Sequence, residues 1–228
     1  MERRRTTDDE TGPAGRARGE RRRWAIGLAP CALPLLEDLI HGSFEDAGYD
    51  VVSGLAGSRG EPLAAITPLS EDGSIGVVNY AGWLGEPEHL YERVWTLAHE
   101  LGHLRLHYRA GDRPRLTLSA VEIATGDRTY PTYSPKQWEE IEANAFADEL
   151  LCPAQGVFSY WLQSPELDAV QIAHRIGIPP HVVRQQLFRG LEAHTLASAV
   201  TAQKGDVPAS TTVPEPGMPS HHARCLVQ

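Results

Sequence analysis

The chain has 228 residues, enough for one good-sized core or two small ones, and its 41% hydrophobic and 22% charged content is that of an ordinary soluble domain. A formal net charge of -9, with no basic patch inside the globular stretch, works against nucleic acid as a partner. Cys31, Cys152 and Cys225 form neither a disulfide framework nor a CxxC metal site, which points to a cytoplasmic setting.

Residues 1–22 mix Arg, Asp, Glu, Gly and Pro without apolar periodicity and are expected to form a disordered tail. Arg21, Arg22 and Arg23 precede an apolar run from Trp24 to Leu36, the order of a secretory signal, but Pro30 and Pro34 interrupt the run and no A-x-A site follows. The run is also shorter than the ~20 residues a membrane helix needs, so no membrane association is expected. Leu33 to Glu45 reads as a helix burying Leu35, Leu36, Leu39 and Ile40. Ala64–Pro68 and Ile75–Tyr80 read as two strands joined by a turn, with Asp72-Gly73 its strongest signal.

From about Glu88 to His107 the period becomes helical, with Val94, Leu97, Ala98, Leu101 and Leu104 as the apolar stripe and Pro87 near the start. Arg109 to Ser134 is an irregular or partly extended excursion. A second long helix is expected from Pro135 to Leu151, with Ser134 as N-cap, Pro135 in the first turn and Pro153 as a stop. A third helical region covers about Glu166 to Leu196, broken near Gly177, Pro179 and Pro180. Residues 201–228 are expected to be a second tail, in which His221, His222 and Cys225 are chance ligands. The domain plan is therefore a core over 23–165 and a helical subdomain over 166–200.

His99-Glu100-Leu101-Gly102-His103 is an HExxH pattern inside a predicted helix. At 3.6 residues per turn both imidazoles leave one face, where they can share an ion. Glu100, about 100° away, is free to act on a water whose pKa zinc has lowered: it takes that water's proton and passes one to the leaving amine. The bland alternative is a pair of histidines on an amphipathic helix.

A catalytic site with two His and a water needs one more protein ligand. The candidates are Glu139, Glu140, Glu142 and Asp148. On a wheel of about 100° per residue, Glu140 lies nearest the stripe of Ala143, Phe146, Ala147, Leu150 and Leu151 and is the first choice. Glu142 is the alternative, on the other flank; Glu139, Glu142 and Glu149 otherwise read as a solvated acidic face. Asn144, one turn from Glu140, is expected to hold a ligand through its amide. Gly102 costs about 1 kcal/mol of helix propensity, which a close approach of the second helix would justify. His107 reads as a supporting or packing histidine, because a fourth protein ligand would close the site, and His89 as an ordinary one.

Trp95 to His107, W-T-L-A-H-E-L-G-H-L-R-L-H, strongly resembles the ImmA/IrrE family of zinc metallopeptidases, and Glu140 to Pro153 resembles that family's E-x-E-A-N-x-F-A-x-x-L-L-x-P segment. Cys152 stands where the family often has methionine. The resemblance implies an α+β, zincin-like fold: a small antiparallel or mixed sheet packed on the helix that carries HExxH, followed by a helix-turn-helix-like subdomain. It also implies Zn2+ on His99, His103 and Glu140, Glu100 as catalytic base, and an intracellular role in cleaving a helix-turn-helix repressor of phage, mobile-element or stress-response genes.

Three further expectations concern the substrate. A peptide would add as a strand against Ile75, Gly76, Val77, Val78, Asn79 and Tyr80. Tyr130, Tyr133 or His174 would stabilise the oxyanion. Gln171 to Gly190 is spaced like a helix-turn-helix, in which Arg175, Arg184, Gln185, Gln186 and Arg189 would read DNA, but a scaffold covering the core is preferred. The rival functions are a non-catalytic zinc-containing regulator that masks a repressor and, third, a DNA-binding protein.

Overall fold

A computed structural model describes residues 11–55, 63–70, 74–108 and 134–205. Contacts divide the chain into two units, Met1–Leu191 and Glu192–Gln228. Of the second unit, residues 192–205 are described, and they are helical.

The first element differs from expectation. Pro13–Arg23 is a helix, α1, although its sequence has no apolar periodicity. It is anchored through Arg21, fully buried, whose guanidinium donates to the carbonyls of Gly27 (2.7 Å), Ala29 (2.6 Å) and Leu150 (2.6 Å). Arg18 adds an ion pair to Glu149 and Glu20 one to Arg105. The expectation of a disordered tail to residue 22 fails here because charged side chains, satisfied by backbone carbonyls and carboxylates, do the anchoring that apolar ones do elsewhere.

Helix α2 spans Leu33–Glu45 as expected, with Pro34 in its first turn. Its buried face is Leu33, Leu36, Ile40 and Phe44; Leu35 points outward at 46% exposure and Leu39 is half-buried. The sheet has three strands, β1 (Tyr49–Leu55), β2 (Ala64–Pro68) and β3 (Gly76–Ala81). Their order is β1-β3-β2, with β1 parallel and β2 antiparallel to β3, so the sheet is mixed. Val78 pairs with Val51 on one side and Ile66 on the other. At Gly76 the backbone passes so close to the Tyr49 ring that a Cβ would lie 2.3 Å from it and 2.9 Å from the Thr67 carbonyl oxygen. The Asp72-Gly73 turn expected between β2 and β3 lies outside the described residues.

The central position of β3 corrects one expectation. Both edges of the 76–81 strand are already paired, so Gly76, Val77, Val78, Asn79 and Tyr80 have no free ladder to offer a substrate, and Ile75 lies just before the strand. β1 is not announced by its sequence because Tyr49-Asp50-Val51-Val52-Ser53-Gly54-Leu55 does not alternate cleanly and contains a glycine.

Two 3-10 turns, Gly82–Gly85 and Pro87–His89, lead into α3, Leu90–Leu106. Helix α4 covers Pro135–Leu151 and starts with the expected cap: Ser134 Oγ accepts from Gln137 N and Gln137 Oε1 accepts from Ser134 N, a capping box. The two helices pack closely where Gly102 faces Ala143; a Cβ there would sit 3.1 to 3.2 Å from Phe146 and the Ala143 backbone, the reason this helix interior carries glycine.

Pro153 ends α4 and at once caps α5, Ala154–Gln163, a helix the sequence did not announce. Asp168 and Gln171 form a second capping box at α6, Ala169–Ile176, which ends on Gly177 with φ of 73°, and α7 follows over Pro180–Gly205. Ile172, Ala173, Ile178, Val182 and Val183 belong to the same buried cluster as Leu97, Leu101, Phe146 and Leu150. Gln186, one of the residues a DNA-reading helix would present, is fully buried, so it faces no external partner.

The chain is α+β, with a small mixed sheet and seven α-helices among the described residues. No helix among the described residues is long and apolar enough to cross a membrane.

Candidate metal centre

The stripe Val94, Leu97, Ala98 and Leu101 is fully buried, and this fixes the rotation of α3 about its axis. Rotation set in this way carries His99, Glu100 and His103 inside as well, at 5%, 3% and 2% exposure. From α4, Phe146, Ala147 and Leu150 do the same for Glu140, at 3%. His99 Nε2 lies 3.0 Å from His103 Nε2 and 3.2 Å from Glu140 Oε2, while His103 Nε2 lies 3.5 Å from Glu140 Oε1. Among the described residues, His99, His103 and Glu140 form a group whose ligand atoms all lie within 4.8 Å of one another.

The surroundings decide what this cluster is suited to hold. Asn144 Oδ1 is 2.8 Å from His99 Nδ1 and accepts its hydrogen, which leaves Nε2 of the neutral ring as a lone pair aimed at a carboxylate. Glu140 Oε2 is buried with no hydrogen-bond partner, although His99 Nε2 is only 3.2 Å away; proximity without donor geometry is not a bond. Two imidazole lone pairs and a carboxylate therefore converge in a buried place where, left to themselves, they repel. A shared cation removes the conflict, and two His nitrogens with one carboxylate, leaving a position open, suit a catalytic divalent metal.

Without a metal, protons take the part of the cation. Burial alone would raise the pKa of Glu140, but His103 and His99, when they carry protons toward it, outweigh burial and hold the carboxyl down at about 2. His99 moves the other way: burial works against its proton, yet Glu140, Glu100 and Asn144 together raise its pKa above the ordinary value. At His107 burial wins over the Glu142 hydrogen bond, aided by His103, and lowers the pKa.

Of the site residues expected from the sequence, His99, Glu100, His103, Glu140 and Asn144 lie together, with His107 beside His103. Glu142, the alternative ligand, is turned away from the pair and lies 3.1 Å from His107 Nε2. Asp148 accepts from Trp95 Nε1 at 3.0 Å, and Trp95 in turn stacks on His99 with ring centroids 5.5 Å apart. Glu139 is exposed, whereas Glu149, read as part of a solvated face, is 2% exposed and held by Arg18 and the Ala154 amide. His174 is exposed and lines a different cavity, of about 430 Å³, beside Cys31, Pro34 and Leu90; none of the three converging side chains lines it. Tyr130 and Tyr133 lie outside the described residues.

Sequence reasoning missed the Trp95–Asp148 brace and the pairing of Glu142 with His107. Spacing holds a signal for the second alone: His99, His103 and His107 repeat every four residues, so the third ring had to lie against the helix that supplies Glu140.

An α+β fold that brings an HExxH helix against a second helix, with two imidazoles and a carboxylate converging, defines a metallopeptidase-type protein of the zincin-like class. Residues 83–188 match the family model described as Peptidase_M78, IrrE N-terminal-like domain, a match that supports the resemblance to the ImmA/IrrE peptidases. Among curated proteins no match to the chain was found.

Proposed function

We propose that the protein is a zinc-dependent endopeptidase in which His99, His103 and Glu140 hold the ion and Glu100 is the catalytic base. The observation that carries this reading is the convergence of three buried acceptors with no donor to reconcile them. Zinc held there supplies Lewis acidity toward a water and a peptide carbonyl. Glu100 is 3% exposed and near enough to His99 to raise its pKa, so its carboxylate belongs to the same buried neighbourhood. In that position it takes the proton of the attacking water and returns one to the departing amine. Asn144 holds the His99 ring through Nδ1, and Trp95 packs on its face.

A polypeptide substrate follows from the family, and the resemblance favours a helix-turn-helix repressor, cleaved in the cytoplasm. Glu100→Gln keeps two acceptor or donor positions of the same shape but removes the base. The variant is expected to bind zinc with wild-type stoichiometry and to lose cleavage of a co-expressed repressor candidate. Metal-dependent fragments from the variant at the wild-type rate would refute Glu100 as the base.

A further inference from the structure

A hydrogen-bonded chain runs from the metal centre to the flank of α4. His103 Nδ1 is 3.1 Å from His107 Nδ1, and His107 Nε2 is 3.1 Å from Glu142 Oε2. The His107 side chain is 10% exposed and that of Glu142 24%. The chain thus starts in the buried centre and ends where solvent can reach.

Chemistry allows this chain one order of hydrogens when the rings are neutral. A carboxylate only accepts, so His107 Nε2 must carry the ring's hydrogen. Its Nδ1 is then a lone pair. The 3.1 Å contact between the two Nδ1 atoms needs one donor, which has to be His103. With its hydrogen on Nδ1, His103 presents a bare Nε2 to His99 and Glu140. The opposite order would put an N–H at His103 Nε2, aimed into the group of ligands.

From this geometry we infer that Glu142 and His107 are positioning residues: they select the tautomer of His103 and hold its ring so that Nε2 is available to a metal ion. The inference rests on the metal centre proposed above. It gives both halves of the centre the same construction, because Asn144 Oδ1 does for His99 what His107 Nδ1 does for His103, and α4 supplies Glu140, Glu142 and Asn144 together. Glu142 resembles a ligand in sequence yet acts on the metal only through two imidazoles. Partners of this kind commonly change metal affinity by about 10- to 100-fold when removed.

The test measures zinc affinity of the full chain by competition with a chromophoric chelator, for the wild type and for Glu140→Ala, His107→Phe, Glu142→Ala and His107→Gln. Glu140→Ala should abolish tight binding. His107→Phe and Glu142→Ala should weaken it by about tenfold or more, and His107→Gln, whose amide oxygen can again accept from His103, should recover most of the loss. Melting in excess chelator shows whether each variant is folded. Nitrogen NMR of the zinc-loaded wild type should find His107 protonated at Nε2 and bare at Nδ1, a readout independent of any variant's folding. Wild-type affinity in Glu140→Ala would remove the metal centre itself. If Glu140→Ala fails to bind while His107→Phe and Glu142→Ala bind within about twofold of wild type, or if His107 carries its hydrogen on Nδ1, the relay is wrong and the centre stands.

Discussion

Helices α1 and α4 both pack against α3, but they are held by opposite means. α4 buries an apolar stripe, Ala143, Phe146, Ala147, Leu150 and Leu151, and brings Glu140 to the metal centre on the edge of that stripe. α1 buries Ala17 together with Glu20 and Arg21, and its attachment runs through ions and backbone carbonyls. The two meet at the end of α4: Arg18 pairs with Glu149, and Arg21 Nη1 donates to the carbonyl of Leu150, one of the last four of α4, which have no partner within their own helix. The contrast shows that one helix can be placed by area removed from water while its neighbour is placed by finding hydrogen bonds for the first one's end.

The strongest way to break this contrast is at Glu140. Glu140→Ala leaves the α4 stripe intact but removes the carboxylate, so zinc measured by metal analysis should fall from one equivalent to none after dialysis while the fold persists. Retention of metal here, with loss in Glu142→Ala, would mean that the α4 stripe does not set the ligand and that the orientation described above is wrong.

The next effect tests α1. Arg21→Met keeps much of the side-chain volume but strands the carbonyls of Gly27, Ala29 and Leu150. The loss is expected to be about 1–3 kcal/mol in chemical denaturation, because the Leu150 carbonyl becomes a buried acceptor without a donor, while those of Gly27 and Ala29 lie in exposed residues that water can reach. The zinc site should survive at low temperature, since Arg21 touches none of its members. A loss below about 1 kcal/mol would show that α1 is held by Ala17 and the ion pairs instead, and that its difference from α4 is one of degree.

The same contrast explains what could be read from the residues. α2, α3 and α4 announce themselves because apolar positions recur every three or four residues, and the metal site follows since His99, His103 and Glu140 ride on those stripes. Rotation about a helix axis is a one-dimensional property, so Glu140 could be preferred to Glu142 by angle alone. α1 has no such period, and nothing local in Arg21 says that three carbonyls wait for it. Burial of Glu149 was hidden for the same reason, its partner Arg18 being 131 residues away. The role of β3 is not legible because a strand's position within a sheet depends on pairing partners, and β1, the partner on its far side, lacks clean alternation and carries Gly54.

The smallest effect concerns the start of α4, where local sequence and structure agree fully. Ser134→Ala removes the hydroxyl that accepts from Gln137 N and so half of the capping box; Gln137 Oε1 can still accept from residue 134. The expected cost is about 1 kcal/mol by urea denaturation, from one exposed donor left to water. Because the first turn of α4 lies before Glu140, fraying there loosens the ligand before it loosens Asn144 or Glu142, which sit further along the helix. Zinc affinity should therefore drop slightly, by less than about threefold, along with stability. If affinity fell as far as in the His107 variants, the register of α4 would depend on its cap more than on its buried stripe, and the apolar residues would no longer account for where Glu140 points.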